Sequence, residues 1–265
     1  MTTSLSDAGL QFADGSVQNT LLRSYIAGLT MSTAGASATM SIAAGQATNS
    51  TNVSLINLAS TSKTTAAWAV GNGTGGLDTG TIANSTKYYF YVIRRPDTSV
   101  VDVVFSANST SPTLPTNYTQ FRYIGMGLTN GTAQWTAFTQ IGDEFYWSTP
   151  VIEFNAVGVT VAALLTVTVP LGRKVKVIFA LSALASNGIY LSDPSNADLV
   201  STYGVGGVPA TGLGQGGNGG VAAVATADQA SCWTNASAQI RHRENNASQI
   251  GIVTQGWIDY RGRFD

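Results

Sequence analysis

Lys87-Tyr88-Tyr89-Phe90-Tyr91-Val92-Ile93-Arg94 and Val100-Val101-Asp102-Val103-Val104-Phe105 are two apolar runs separated by Pro96-Asp97-Thr98-Ser99. Aromatic and β-branched side chains lose rotamer freedom in a helix but pack well on a pleated sheet. Proline presets the backbone for a turn, and Asp and Ser bond their own main chain there. The stretch therefore predicts an antiparallel hairpin and an all-β chain. Pro112 and Pro115 mark the next loop, and Phe121-Arg122-Tyr123-Ile124-Gly125-Met126 reads as a third strand. Asn130-Gly131 is a strong short hairpin signal, with Ala133 to Phe138 returning from it.

Downstream, Val159 to Val169 reads as a long apolar strand broken by Pro170-Leu171-Gly172. Arg173 to Phe179 alternates, which points Val175, Val177 and Phe179 inward. Ile189-Tyr190-Leu191, Val221 to Ala225, Ser237 to Arg243 and Gln249 to Thr254 add short strands at sandwich or jelly-roll spacing. Helical period is absent after residue 30, which argues against parallel α/β folds. The organisation expected is an N-terminal segment over 1–30, a middle β domain over 31–150 and a C-terminal β-sandwich over 151–265.

The N-terminal segment opens with Leu10 and Phe12 alternating as a half-buried strand, then an Asp14-Gly15 turn. Asn19 or Thr20 is placed to cap a helix, and Leu21, Leu22, Tyr25, Ile26 and Leu29 fall at helical spacing. So short a helix needs a partner for its apolar stripe. Either the chain's own domain or the same helix of a symmetry mate would serve.

Only 10% of the residues are charged, and none lies between Arg23 and Lys63. An ordinary soluble domain carries roughly 25%. Little charge keeps such chains apart, which suits a protein that buries much of its surface in an assembly, and also suits sugar recognition by neutral groups. The net charge of −1 argues against nucleic acid, which needs a basic face. Arg241, His242 and Arg243 form a basic triplet that reads as a solvated strand edge. No basic, apolar leader opens the sequence, and the longest apolar run is too short to span a bilayer. With a single Cys232, synthesis in a cytoplasm without membrane insertion is expected.

Chemistry is sparsely signalled. The single histidine, His242, would have to serve any Ser–His–Asp triad from between two arginines. One Cys and one His give no metal set, and no cofactor is expected. Gly71-x-Gly73-x-x-Gly76 and Gly212-x-Gly214-x-x-Gly217 match a dinucleotide fingerprint, but neither opens a helix, so both read as loops. Asp143-Glu144, or Asp193 with Asp198, would pair as glycosidase carboxylates only at a suitable gap. No catalytic residue is assigned, and the chain is not expected to be an enzyme.

Tyr203 to Gly220 holds nine glycines. Glycine loses the most backbone entropy on ordering, so this exceeds what a connection needs. The loop is either disordered or packed in an assembly, or it is a receptor-contacting tip. In the second case Tyr203 would stack on a sugar while Gln215 and Asn218 bond its hydroxyls. Trp233 is a second stacking candidate, with a core role as its alternative.

Gly9-Leu10-Gln11-Phe12-Ala13-Asp14-Gly15-Ser16-Val17-Gln18 resembles a short segment that recurs in bacteriophage tail-fibre and related virion proteins. Tyr91-Val92-Ile93-Arg94-Arg95-Pro96-Asp97-Thr98, Ser111-Pro112-Thr113-Leu114-Pro115-Thr116-Asn117-Tyr118 and Arg122-Tyr123-Ile124-Gly125 are similar to a block of such proteins covering 88–125. Gly256-Trp257-Ile258-Asp259-Tyr260-Arg261-Gly262 resembles the ending of similar phage domains. The resemblance implies a virion protein of tail-fibre type, a homotrimer with Phe12, Leu21, Leu22 and Ile26 between subunits. Its partners would be other virion proteins and a host-surface glycan. It carries no catalytic residue into this chain. A capsid or neck decoration fibre without a receptor is the alternative, and a glycan-cleaving tailspike a weaker one, since tailspikes usually need a longer β-helix.

Overall fold

The computed structural model describes residues 4–6, 9–11, 17–18, 23–183, 187–196, 198, 219–223, 226–244, 247 and 249–263. Every regular element among them is a strand, so the chain is all-β. The chain divides into two compact units, residues 1–135 with 261–265, and residues 136–260. The expected boundary after residue 150 falls inside a single strand of the second unit, Glu144–Val157.

The first unit contains β1 (Ser4–Ser6), β2 (Gly9–Gln11), β3 (Val17–Gln18), β4 (Ile26–Gly28), β5 (Met31–Ser32), β6 (Thr39–Ile42) and β7 (Gly45–Thr48). It continues with β8 (Leu55–Leu58), β9 (Thr61–Ala67), β10 (Thr74–Leu77), β11 (Lys87–Arg94), β12 (Val101–Ser106) and β13 (Gln120–Leu128). A seven-stranded sheet runs β13-β11-β12-β10-β9-β6-β5, beside two three-stranded sheets, β1-β2-β3 and β4-β7-β8. The β11–β12 hairpin is present as read from its residues, with Arg94 opposite Val101. β11 is buried on both faces, because one side meets Phe105 and Trp135 while Tyr91 meets Tyr123 on the other. Asn130-Gly131 does turn the chain, but its return is one bridge from Trp135 to Thr129, not a strand through Phe138.

The helix expected after Asn19 is contradicted where residues are described. Ile26–Gly28 is β4, paired with Gly45–Ala47 of β7. Ser24, Gly28 and Leu29 have φ of 53°, 67° and 55°, left-handed values that no α-helix accommodates.

An unusual connection lies between β9 and β10. These strands pair in parallel, Lys63 opposite Thr74, with only Trp68 to Gly73 between them. A parallel crossover ordinarily needs a dozen or more residues. Two features permit the short path. Gly71 and Gly73 adopt φ of 108° and 75°, open to glycine without strain. A Cβ on Gly75 would stand 1.9 Å from the Ala67 carbonyl oxygen, and one on Gly76 2.8 Å from the Lys63 Cβ. The Gly-x-Gly-x-x-Gly pattern is thus the signature of this loop.

The second unit contains β14 (Phe138–Ile141), β15 (Glu144–Val157), β16 (Ala163–Thr166), β17 (Lys176–Ala183) and β18 (Asn187–Ser192). It ends with β19 (Gly219–Ala223), β20 (Thr226–Trp233), β21 (Gln239–Glu244) and β22 (Gln249–Ile258). Sheets β14-β15-β22-β17-β20 and β16-β21-β18-β19 form it, with Phe154 of one packed on His242 of the other at 5.0 Å between ring centroids. Val175, Val177 and Phe179 are fully buried, as their alternation predicts. The strand expected over Val159 to Val169 is shorter, spanning only Ala163–Thr166. The chain turns at Gly158, where a Cβ would meet the Glu244 side chain at 2.7 Å.

The chain then returns to the first unit. Arg261 donates to the Gly28 carbonyl at 3.3 Å, and buried Arg122 donates to the Arg261 carbonyl at 2.8 Å.

Candidate functional site

The first unit carries a concavity of about 590 Å³ lined by Trp68, Val70, Arg95, Val100, Pro115, Thr116 and Tyr118. Three loops build it. Trp68 and Val70 come from the β9–β10 crossover, Arg95 and Val100 flank the β11–β12 turn, and Pro115 to Tyr118 precede β13. The volume lies within the range of small-molecule sites.

Trp68 is pinned on several sides. Its indole N–H donates to the Val103 carbonyl at 3.1 Å. Tyr118 meets it edge to face, with ring centroids 5.4 Å apart at 78°. The Lys63 ammonium sits 5.5 Å from its ring centroid. The indole is nevertheless only half-buried, and Val70 and Val100 beside it are 57% and 40% exposed. At the rim Arg95 clasps Asp97 through two bonds, Nη2 to Oδ2 at 2.6 Å and Nε to Oδ1 at 3.1 Å. The Arg95 bond holds the Asp97 carboxyl below its ordinary range. Burial, then the Asp102 charge, pushes the Tyr118 phenol up.

Under the loop, Lys63 is fully buried, and it reaches buried Asp102 at 2.8 Å. Its ammonium also donates to the carbonyls of Ala69 and Gly71 at 2.8 and 3.0 Å and to the Thr74 hydroxyl at 3.1 Å. Asp102 accepts from the Gly71 N–H at 3.0 Å. Burial lowers the Lys63 pKa, and the hydrogen bond and charge of Asp102 oppose it. A buried charge survives only when paired and fully bonded. Here the crossover carbonyls take the place of water around the ammonium, and the same bonds fix the loop that holds Trp68 and Val70.

The second unit shows a different surface. β14 covers β15 only from Glu144 to Trp147, and Ser148 adds one bond to Ala137. Beyond it, among the described residues, β15 pairs with β22 alone. β16 likewise pairs only with β21, so both sheets end on an open strand. Glu153 joins these edges by accepting from the Thr168 N–H at 2.6 Å and hydroxyl at 3.2 Å. Ile152, Val157, Val161 and Leu164 are 56–76% exposed there. Glu153 is the single charge from Phe145 to Thr168. Natural edge strands usually carry lysines, prolines or bulges that discourage pairing. This edge has no lysine; its guards are Pro150 and the register shifts of the β15–β22 pairing between Tyr146 and Val151 and between Ile152 and Phe154.

Among the residues singled out in the sequence, Tyr203, Gln215 and Asn218 lie outside the described residues, as do Phe12, Leu21 and Leu22. Gly219 and Gly220 of the glycine-rich loop open β19. Trp233 is half-buried at the end of β20, its ring centroid 6.2 Å from that of Tyr260. Ile26 is buried within its own unit, opposite Ala47.

The Arg241–Arg243 triplet is not a solvated edge. β21 lies inside its sheet between β16 and β18, and His242 is only 3% exposed. Its Nδ1 stands 3.0 Å from Glu244 Oε1, and the other Glu244 oxygen accepts from the Val159 N–H. Arg241 donates to the carbonyls of Asn196 and Pro194, and Arg243 to Asp198 and the Thr160 carbonyl.

The carboxylate candidates are engaged as well. Glu144 accepts from the Tyr146 hydroxyl at 2.6 Å. Burial pushes the Asp193 carboxyl up, but the Ser195 hydroxyl and N–H and the Lys174 ammonium together draw it below its ordinary value. Among the described residues, no group of three or more His, Cys, Asp or Glu side chains is arranged to hold a metal ion.

The chain matches no protein-family model, and neither the curated proteins nor the solved structures contain a significant match to it.

Reading the sequence missed Trp68, Arg95 and Val100. All three loops stood out in the sequence, through the Gly71-x-Gly73-x-x-Gly76 pattern, the Pro96–Ser99 turn and the prolines of 112–118, but nothing in it joined them into one concavity.

Proposed function

We propose that this chain is a structural protein of a bacteriophage virion, of tail-fibre type, working as a homotrimer joined to other virion proteins and touching host-surface glycan. The observation that carries the reading is the apolar, nearly uncharged double edge of the second unit, open among the described residues. Open ladder groups on β15 and β16, flanked by Ile152, Val157, Val161 and Leu164 and almost without charge, suit burial against further protein. Covering each of those side chains is worth about 1–2 kcal/mol, scaled from full burial by its exposure. The same interface recurs in every copy of a symmetric assembly. The similarity of residues 88–125 to a block of virion proteins supports the particle as its setting.

The test is mass photometry of the purified chain, beside an Ile152→Lys/Leu164→Lys variant. Wild type is expected to self-associate at micromolar concentration, and the variant to fall apart into folded monomers. A wild type that stays monomeric defeats the assembly reading. Gold-labelled electron micrographs that place the chain on the head or neck would defeat the tail assignment and favour a decoration fibre.

A further inference from the structure

We infer that the concavity around Trp68 and Tyr118 is a carbohydrate site that takes a neutral pyranoside. The inference deepens the glycan-contact part of the proposed function and rests on it only for the source of the sugar.

Its apolar part is costly to leave open. Trp68, Val70 and Val100 present apolar surface that folding leaves uncovered. A flexible surface tryptophan would need no explanation, but this one is held by Val103, Tyr118 and Lys63. Holding an aromatic ring before its ligand arrives removes an ordering cost from binding. A pyranose matches such a surface, because its axial C–H groups are apolar and its equatorial hydroxyls point outward to the rim.

The rim is polar and self-neutralising. Arg95 of the lining brings donors, its bidentate partner Asp97 behind it carries acceptors, and Thr116 of the lining adds a hydroxyl that does both. A hydroxyl both donates and accepts, so it is matched by such a pair. An anionic sugar would have to compete with Asp97 for Arg95, which selects for a neutral ring. Lys63 stands behind the indole, fully buried and bound to Asp102, and offers no charge to the ligand. It acts as a positioning residue, since its bonds to Ala69 and Gly71 set the loop carrying Trp68 and Val70. A proline-rich peptide is the other ligand that aromatic grooves accept. It is disfavoured because its proline carbonyls meet only the donors of the rim and, without N–H groups, leave the acceptors unmet.

The test uses the full chain and a panel of methyl pyranosides, namely glucoside, galactoside, mannoside and N-acetylglucosaminide. Methyl glucuronide is the anionic control and a deca-proline peptide the alternative. Binding is read by saturation-transfer NMR and by tryptophan fluorescence. At least one neutral pyranoside is expected to bind, with saturation strongest on ring C–H protons. Trp68→Ala should weaken it by at least about tenfold. Val70→Asp alters an exposed side chain, so it should block the cup without unfolding the unit, and it controls for any loss of fold in Trp68→Ala. Absence of binding to every neutral pyranoside, preference for the glucuronide or the peptide, or binding unchanged in Val70→Asp overturns the inference. A chain that binds the sugar but is found on no particle defeats the proposed function alone, and a virion-bound chain with an inert cup defeats this inference alone.

Discussion

Lys63→Met removes an ammonium from a place where nothing replaces it. The variant leaves the Asp102 carboxylate in the interior and strips donors from Ala69, Gly71 and Thr74. Breaking one side of a buried ion pair costs about 3–5 kcal/mol. Asp102 keeps the Gly71 N–H at 3.0 Å, so the expected loss lies near the lower end, about 3 kcal/mol. Each kcal/mol moves the midpoint of a domain of this size by about 3–5 °C, so the first unit should melt on the order of 10 °C lower. Urea titration followed by tryptophan fluorescence gives the free energy, and calorimetry the midpoint. Lys63→Met/Asp102→Asn removes the stranded charge and should regain at least half the loss. A single-variant cost below about 1 kcal/mol, or a double variant no better than the single, would refute the claim that the ammonium organises the crossover.

Two further outcomes test the second unit. Glu244→Ala deprives His242 Nδ1 and the Val159 N–H of their acceptor, and should cost about 2–4 kcal/mol in urea; a cost below about 0.5 kcal/mol would show the pair to be structurally idle. Burial pushes the Cys232 thiol from 9.0 up to about 12, so at pH 8 its thiolate is about a thousandfold rarer than that of an unfolded chain. Iodoacetamide should therefore modify it only on unfolding. Because the folded value is the raised one, its contribution to stability is complete below pH 9 and lost as pH climbs toward about 12; brisk labelling of the native chain at pH 8 would contradict this.

The parts of the fold that could be read in advance are those where neighbouring residues speak for themselves. β11 and β12 declare their type by composition, and β17 its buried face by alternation. The N-terminal stripe misled because Tyr25, Ile26 and Leu29 satisfy helical spacing, while the left-handed φ at Ser24, Gly28 and Leu29 leaves no mark on that pattern. His242 looked solvated between two arginines, but strand alternation sends it inward and them outward. The candidate site was the least legible. Lys63 sits in a Ser/Thr/Ala run, and its partner Asp102 lies 39 residues away, so no local pattern announces a buried ion pair. Trp68 follows two alanines and looks like any isolated aromatic until the crossover brings Tyr118 against it.

The first unit is discontinuous in sequence, and this has a consequence for how the molecule is made and remade. Residues 136–260 enter on β14 and leave on β22, two strands of one sheet with only β15 between them, where Glu144 pairs with Ile258 and the Asp259 N–H bonds the Asp143 carbonyl at 2.9 Å. They are a guest whose first and last strands share one sheet, inserted into a host that closes again through Arg261. During synthesis these last bonds of the host wait, because Arg122 and Gly28 meet their Arg261 partners only after the whole guest has left the ribosome. The same arrangement makes the guest exchangeable: another domain could be spliced between Trp135 and Arg261 without severing a strand of the host. A lineage under pressure to change one surface could then do so by swapping the guest, while the cup and the buried lysine beneath it stay as they are.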